Sequence, residues 1–324
     1  MEYRRLGNAG LKLSALSFGS WVTFRNQVDK KLAEQCIRTA YDAGVNYFDN
    51  SEAYANGESE RIMGQALKNL NYPRDSWCVS SKAFFGSYDH PVPTQKGLSR
   101  KHLVEACHQA LQRLQVEYLD LYFCHRPDPE TPIEETVRAM HNLVQQGKVL
   151  YWGTSEWSSE EIATAHRVAR EQHLIPPSME QPQYNLFHRE RVEREYAPLY
   201  RDYGMGITSW SPLASGVLTG KYNHGIPKDS RMNLPGYEWL RKKHESEEGQ
   251  KRIETVKRLT GIAQDLGIST THLALAWCLK NPQVSSVILG ASRLEQLKEN
   301  LLALNQIPKM SSDVMMRIEA VIAG

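Results

Sequence analysis

The feature that most constrains this chain is an alternation repeated eight times: a short apolar run of strand length, then a longer stretch with helical periodicity. The strand candidates are Leu16–Gly19, Asn46–Asp49, Trp77–Lys82, Tyr118–His125, Val149–Thr154, Pro177–Gln183, Gly206–Trp210 and Ser285–Leu289. Helix candidates follow at Lys31–Ala43, Glu58–Leu70 and Ser99–Leu114. Others follow at Arg189–Tyr203, about Gly249–Leu266, Thr270–Lys280 and Arg293–Leu302. The first places Ala33, Cys36, Ile37, Ala40 and Tyr41 on one face and stops at Gly44. A fourth helix has Thr131 as its cap, Pro132 at its first position, Glu134 to close a capping box and Gly147 as its stop. Ser158 and Glu161 form a second capping box, which opens the fifth helix. A long loop from Ser211 to about Glu248 follows the seventh strand, and Ser311–Ala323 reads as a terminal helix.

Eight strand–helix repeats predict a parallel sheet closed into a (β/α)8 barrel. The rival is a doubly wound sheet, whose dinucleotide-binding form carries GxGxxG after its first strand. Here that strand ends in Gly19-Ser20-Trp21, and the nearby GxG at Gly204–Gly206 precedes a strand, the wrong order. Tyr3–Ser14, with Gly7-Asn8-Ala9-Gly10 at its centre, reads as a hairpin placed to plug the barrel bottom. The 324 residues suit one barrel domain spanning 1–324, with an extra C-terminal helix.

Charged residues make up 23% of the chain and the net charge is +2, which leaves no electrostatic footprint for nucleic acid or a membrane surface. No apolar run has the length of a membrane span, and the start, MEYRRLGNAGLKL, lacks the apolar core of a signal peptide. The cysteines Cys36, Cys78, Cys107, Cys124 and Cys278 are scattered, odd in number and without CxxC. They read as buried free thiols in a reducing compartment, hence the cytoplasm.

A barrel of this kind carries its chemistry at the C-terminal ends of its strands. Those ends are Ser20-Trp21, Asp49, Lys82, His125, Ser155-Glu156, Gln181, Trp210-Ser211 and Gly290-Ala291-Ser292, with Tyr54 five residues beyond Asp49. Taken singly, each ionisable member has an ordinary explanation: a turn aspartate, a packed tyrosine, a solvated lysine, a core histidine. Together they are a coherent acid. A phenol is protonated at neutral pH, an ammonium beside it stabilises phenolate and lowers its pKa, and an aspartate holds the ammonium. A histidine can hydrogen-bond the substrate oxygen. General acid catalysis typically contributes roughly 10²–10⁴-fold, and orientation of the reactants supplies the rest. HExxH, clustered His/Cys spacing, Walker A and GxSxG are all absent, so no metal site is expected. Cys124 and His125 are neighbours on a strand and face opposite ways, which argues against a Cys–His nucleophile.

Phe48-Asp49-Asn50-Ser51-Glu52-Ala53-Tyr54 resembles the aldo-keto reductase signature. Tyr3 to about Lys309 is similar to the branch of that superfamily that contains the β subunits of voltage-gated potassium channels. The telling stretches are Arg126-Pro127-Asp128-Pro129, Glu134–Met140, Tyr151–Ser155, Trp210–Ala214, Gly220-Lys221-Tyr222, Gly290-Ala291-Ser292 and Glu295–Asn300. The resemblance implies a barrel that binds NADPH and reduces aldehydes and some ketones. It makes Asp49, Tyr54, Lys82 and His125 a catalytic tetrad.

By the same resemblance, Ser155 and Gln181 hold the nicotinamide carboxamide and Trp210 stacks on the ring. Ser211, Pro212, Leu213, Ala214, Ser215 and Lys221 serve the pyrophosphate. Gly290, Ser292, Gln296, Glu299 and Asn300 serve the adenosine end. Asp49, Arg231, Ser20, Trp21 and Gln27 add further cofactor contacts. The eighth helix begins near Ser292, and its N-terminus with Arg293 suits a 2′-phosphate, which favours NADPH over NADH. Three positions depart from that branch. His125 stands where the channel subunits carry Asn, Glu156 where the branch has a basic residue, and Asp229 where it has Tyr.

The expected partner is a small carbonyl substrate, with no nucleic acid and no membrane insertion. The resemblance also implies a homo-oligomer, a tetramer or octamer. The alternative is an NADPH-binding regulatory β subunit of a potassium channel with little turnover. A third reading is a reductase of a phosphorylated triose or methylglyoxal. Trp21, Phe84, Phe85, Tyr88 and Trp157 lie just beyond strand ends as candidate pocket residues, and the Ala83–Leu98 loop is a candidate cap.

Overall fold

The computed structural model describes residues 1–21, 30–228, 230–234 and 236–323. They form two compact units. The first comprises Met1–Gln183, Glu190–Trp210 and Pro282–Leu301, and the second Tyr184–Arg189, Ser211–Asn281 and Leu302–Gly324.

In the first unit a hairpin, β1 (Tyr3–Arg5) and β2 (Lys12–Ser14), precedes eight parallel strands. These are β3 (Leu16–Gly19), β4 (Tyr47–Asp49), β5 (Cys78–Ala83), β6 (Leu119–Cys124), β7 (Val149–Thr154), β8 (Met179–Glu180), β9 (Gly206–Ser209) and β10 (Val284–Leu289). They pair in chain order and close where β10 meets β3, so the barrel expected from the alternation is the fold. Its helices are α1 (Lys30–Asp42), α2 (Glu58–Leu70), α3 (Arg100–Leu114), α4 (Ile133–Gln145), α5 (Ser159–Glu171), α6 (Ala197–Tyr203) and α10 (Leu294–Leu301). The connection from β9 to β10 runs through the second unit. That unit holds α7 (Glu238–Glu245), α8 (Glu247–Asp265), α9 (Thr270–Lys280) and α11 (Ser312–Ala323).

The hairpin does plug the barrel bottom. Leu6 and Leu13 are fully buried in one cluster with Tyr47, Cys78, Leu121, Phe123, Met179 and Ile288. The fit depends on glycine. Gly7 has φ +55°, and a Cβ there would lie 2.1 Å from the Gly204 carbonyl oxygen. Strand alternation then places every second residue inside the barrel. Tyr47 and Asp49, Ser80 and Lys82, and Leu121, Phe123 and His125 rise from core to rim on three adjacent strands.

Four local expectations need correction. Thr131 does not cap α4. Pro132 is the cap residue, and the Thr131 hydroxyl donates to Asp128 at 2.7 Å instead. Glu134 accordingly closes no capping box, since Pro132 offers the helix no side-chain bond. The sixth helix is interrupted. A π-turn at Arg191–Glu195 precedes α6, because Pro198 has no N–H for a carbonyl one turn back. The long loop after β9 contains helix α7 and two 3-10 turns, Ala214–Thr219 and Arg231–Asn233. The capping box of Ser158 and Glu161 forms on α5 as expected. All five cysteines are free and buried. Among the described residues no helix is long and apolar enough to cross a membrane.

Candidate active site at the strand ends

The four expected residues converge. Asp49 ends β4, Lys82 lies near the end of β5, His125 follows β6, and Tyr54 opens the 3-10 turn Tyr54–Gly57. Lys82 is wholly buried and its Nζ meets three oxygens: Asp49 Oδ2 at 2.7 Å, the Asn50 carbonyl at 2.7 Å and Tyr54 Oη at 3.1 Å. An ammonium has three hydrogens, and here each has an acceptor. Asp49 is equally committed. Its Oδ1 accepts from Tyr47 Oη at 3.0 Å, Ser80 Oγ at 2.8 Å and Gln181 Nε2 at 3.0 Å.

Electrostatics refine the expectation that Lys82 lowers the Tyr54 pKa. Burial raises the phenol well above its ordinary value, the Asp49 carboxylate raises it further, and Arg126 opposes both. Tyr54 is therefore held as a protonated acid. Burial lowers the Lys82 ammonium, which the adjacent Asp49 counters. His125 is pushed well below its usual pKa, first by burial and then by Lys82 and Arg126, so its ring is neutral. Its Nδ1 lies 3.0 Å from Ser51 Oγ. When the hydroxyl donates there, the ring proton sits on Nε2.

Ser20 is buried just past β3 and donates to the Asp49 carbonyl through both its N–H and its Oγ. Ser155 Oγ donates to the Gln181 carbonyl at 2.8 Å. Gln181 spends its amide hydrogens on Asp49 and Thr208, which leaves its Oε1 outside these bonds. Trp210 meets Trp21 edge-on, with ring centres 5.9 Å apart. Ser292 donates through both N and Oγ to Gln296 Oε1 at the start of α10, where Asn300 is buried and Gly290, Arg293 and Glu299 lie nearby in sequence. Ser211, Pro212, Leu213, Ala214, Ser215 and Lys221 belong to the second unit. There the chain turns through positive φ at Ser211, Ala214 and Ser215. Gln27, Asp229 and the Arg231 side chain lie outside the described residues.

Four residues with no role assigned from sequence shape the site. Glu156 stands where the resembling branch has a basic residue. Its Oε1 accepts from Trp210 Nε1 at 2.9 Å and the Gln183 N–H at 2.6 Å, and its Oε2 accepts from Arg191. It thus holds the indole. Buried Glu52 accepts from the Phe84 and Gly86 N–H groups, each at 2.9 Å, and pairs with His102. That pins the start of the Ala83–Leu98 loop. Ser51 sits against His125, and Arg126 beside it. Of the pocket candidates, Trp21, Phe85 and Tyr88 are exposed, Phe84 is half-buried, and Trp157 is buried. Only partner geometry could reveal these roles, because each is a common residue type at an unremarkable spacing.

The model of the aldo/keto reductase family matches residues 15–323. Two relatives, each a probable voltage-gated potassium channel subunit beta, come from Oryza sativa subsp. japonica and Arabidopsis thaliana. Each is 50% identical over 323 residues, which is 99% of this chain and 97% of the relative. With a closed eight-stranded parallel barrel and a family match across nearly its whole length, the chain belongs to the aldo/keto reductase family.

Proposed function

We propose that the protein is an NADPH-dependent reductase of aldehydes and some ketones, with Tyr54 as the acid. The observation that carries this reading is the Lys82 ammonium, whose three hydrogens are all taken. Tyr54 Oη accepts one of them, so its own hydrogen must point elsewhere, towards a substrate oxygen. Once that proton leaves, the phenolate stands 3.1 Å from a fixed cation, and Asp49 keeps the cation in place. This favours the transition state over the ground state, since the phenolate charge develops only as the proton moves. With Ser51 donating to Nδ1, neutral His125 carries its proton on Nε2 and donates a second hydrogen bond to the same oxygen.

The bound cofactor supplies hydride. The residues present fit a nicotinamide group: Gln181 Oε1 remains for an amide N–H, and Trp210 offers a flat face fixed by Glu156. Arg293 and the α10 N-terminus favour a 2′-phosphate and so NADPH. The resemblance to the channel-subunit branch extends the proposal to a cytoplasmic homo-oligomer. The relatives' names raise a second reading, a channel subunit that holds NADPH with little turnover.

One experiment separates the readings. Purified protein with NADPH and a panel of aldehydes should consume cofactor, and Tyr54→Phe should lose roughly 10²–10⁴-fold in kcat/KM while still binding NADPH. An idle wild type would overturn the proposal, as would a fully active Tyr54→Phe.

A further inference from the structure

The geometry points to Arg126 as an anion-binding residue at the substrate site, which selects carbonyl compounds that also carry a carboxylate or phosphate. This rests on the reading above and adds a substrate class to it. Arg126 is half-buried and follows His125 directly. Its Nη1 donates to the His125 carbonyl at 2.5 Å and to Ser155 Oγ at 3.4 Å. The guanidinium carbon lies 5.7 Å from the centre of the Phe85 ring, and that ring stands edge-on to His125 at 5.1 Å. Arg126 is thus fixed beside His125, between Ser155 and the exposed Phe85.

Three observations mark it as a site for a ligand rather than a fold contact. Among the described residues no Asp or Glu forms an ion pair with Arg126, whereas the buried Arg113 and the half-buried Arg74 and Arg191 all have carboxylate partners. A cation withdrawn from water without an anion is costly. Its two hydrogen bonds are both made by Nη1, so Nε and Nη2 remain, and these form a planar fork that matches a carboxylate or phosphate. Its charge also reaches Tyr54, Lys82 and His125, all of which it pushes towards their less protonated forms. An anion on Arg126 would neutralise that field while the carbonyl oxygen lies between Tyr54 and His125.

The test compares matched aldehydes: para-carboxybenzaldehyde against para-formylbenzamide, and glyceraldehyde phosphate against glyceraldehyde. Wild type should favour the charged member of at least one pair by roughly 10- to 100-fold in kcat/KM, the range of a charge-assisted hydrogen bond. The favoured pair distinguishes carboxylate from phosphate. Arg126→Met should collapse that ratio to near one, whatever its effect on the neutral aldehyde. Arg126→Lys should restore part of it. Equal rates on neutral and charged aldehydes in wild type would overturn the anion site yet leave the reductase standing. If no aldehyde is turned over, the reductase reading fails. The anion site is then judged by protection of the wild type, but not Arg126→Met, against thermal unfolding by benzoate or inorganic phosphate. Equal protection of both proteins would overturn it.

Discussion

At the scale of single residues, the site is governed by proton counting. Lys82 has three hydrogens and three acceptors, and Asp49 takes four hydrogen bonds on its two oxygens. The proposed reaction needs the acid protonated and the imidazole neutral, so the two groups would bound its pH range. Activity should be lost as pH rises through the phenol's pKa, which lies well above its ordinary 10.0, and as pH falls through the imidazole's, well below 6.5. We expect kcat/KM for aldehyde reduction to be level across the neutral range. A midpoint near neutrality in a steady-state pH profile would contradict this protonation scheme. Asp49, Lys82 and His125 were legible in the sequence because each lies at the end of a strand-length run, and Tyr54 because it lies five residues beyond Asp49. Their pKa directions were not, since burial outweighs the neighbouring charge and no sequence displays burial of a particular atom.

At the scale of elements, the strand ends and most helix bounds follow from periodicity and capping residues. The failures have local causes. Helix α7 bears only Trp239 and Leu240 as large apolar residues, and Trp239 is exposed, so it shows no apolar stripe to read. Glu156 was legible only as a departure from the branch the sequence resembles, and its link to Trp210 joins two strand ends far apart in sequence. We expect Glu156→Ala to free the indole, raising KM for NADPH more than it lowers kcat, with a matching change in tryptophan fluorescence. Unchanged KM and emission would show that the clamp is dispensable.

One strand also carries an element-scale pH effect. Burial raises the Glu180 carboxyl of β8 from 4.5 to about 8, against the Thr154 hydroxyl that donates to it. The folded form then holds a proton that the unfolded chain releases, so stability is full below about 4.5 and is lost as pH rises through about 8. Thermal melts of wild type should fall across that window, and Glu180→Gln should flatten the fall. Parallel curves for the two proteins would contradict the burial argument.

At the scale of the whole molecule, one closed sheet has the Asp49, Tyr54, Lys82 and His125 cluster at one end and a plug at the other. Leu6 enters the barrel from outside the eight repeats, and the glycines that admit the hairpin, Gly7 and Gly206, are separated by most of the sequence. The alternation therefore revealed the barrel, while the closeness of the plug depended on contacts that no local pattern encodes. Leu6→Ala should cost about 2–5 kcal/mol in denaturant unfolding. A loss below ~1 kcal/mol would mean that the hairpin rests on the barrel without sealing it.

The five buried thiols have a further consequence. If the chain binds aldehydes as proposed, it binds electrophiles, and its own nucleophiles are the first at risk. Thiolate is the reactive form of cysteine. Burial raises Cys36 to about 11 and Cys78 and Cys107 to about 12, and it raises Cys124 as well. Each of these four is thus both shielded and held as an inert thiol, and Lys82 is enclosed by its own hydrogen bonds. Iodoacetamide should label none of the five cysteines in the native protein and all five after denaturation. Under the proposed activity, an electrophilic substrate would meet a chain whose five thiols are all buried.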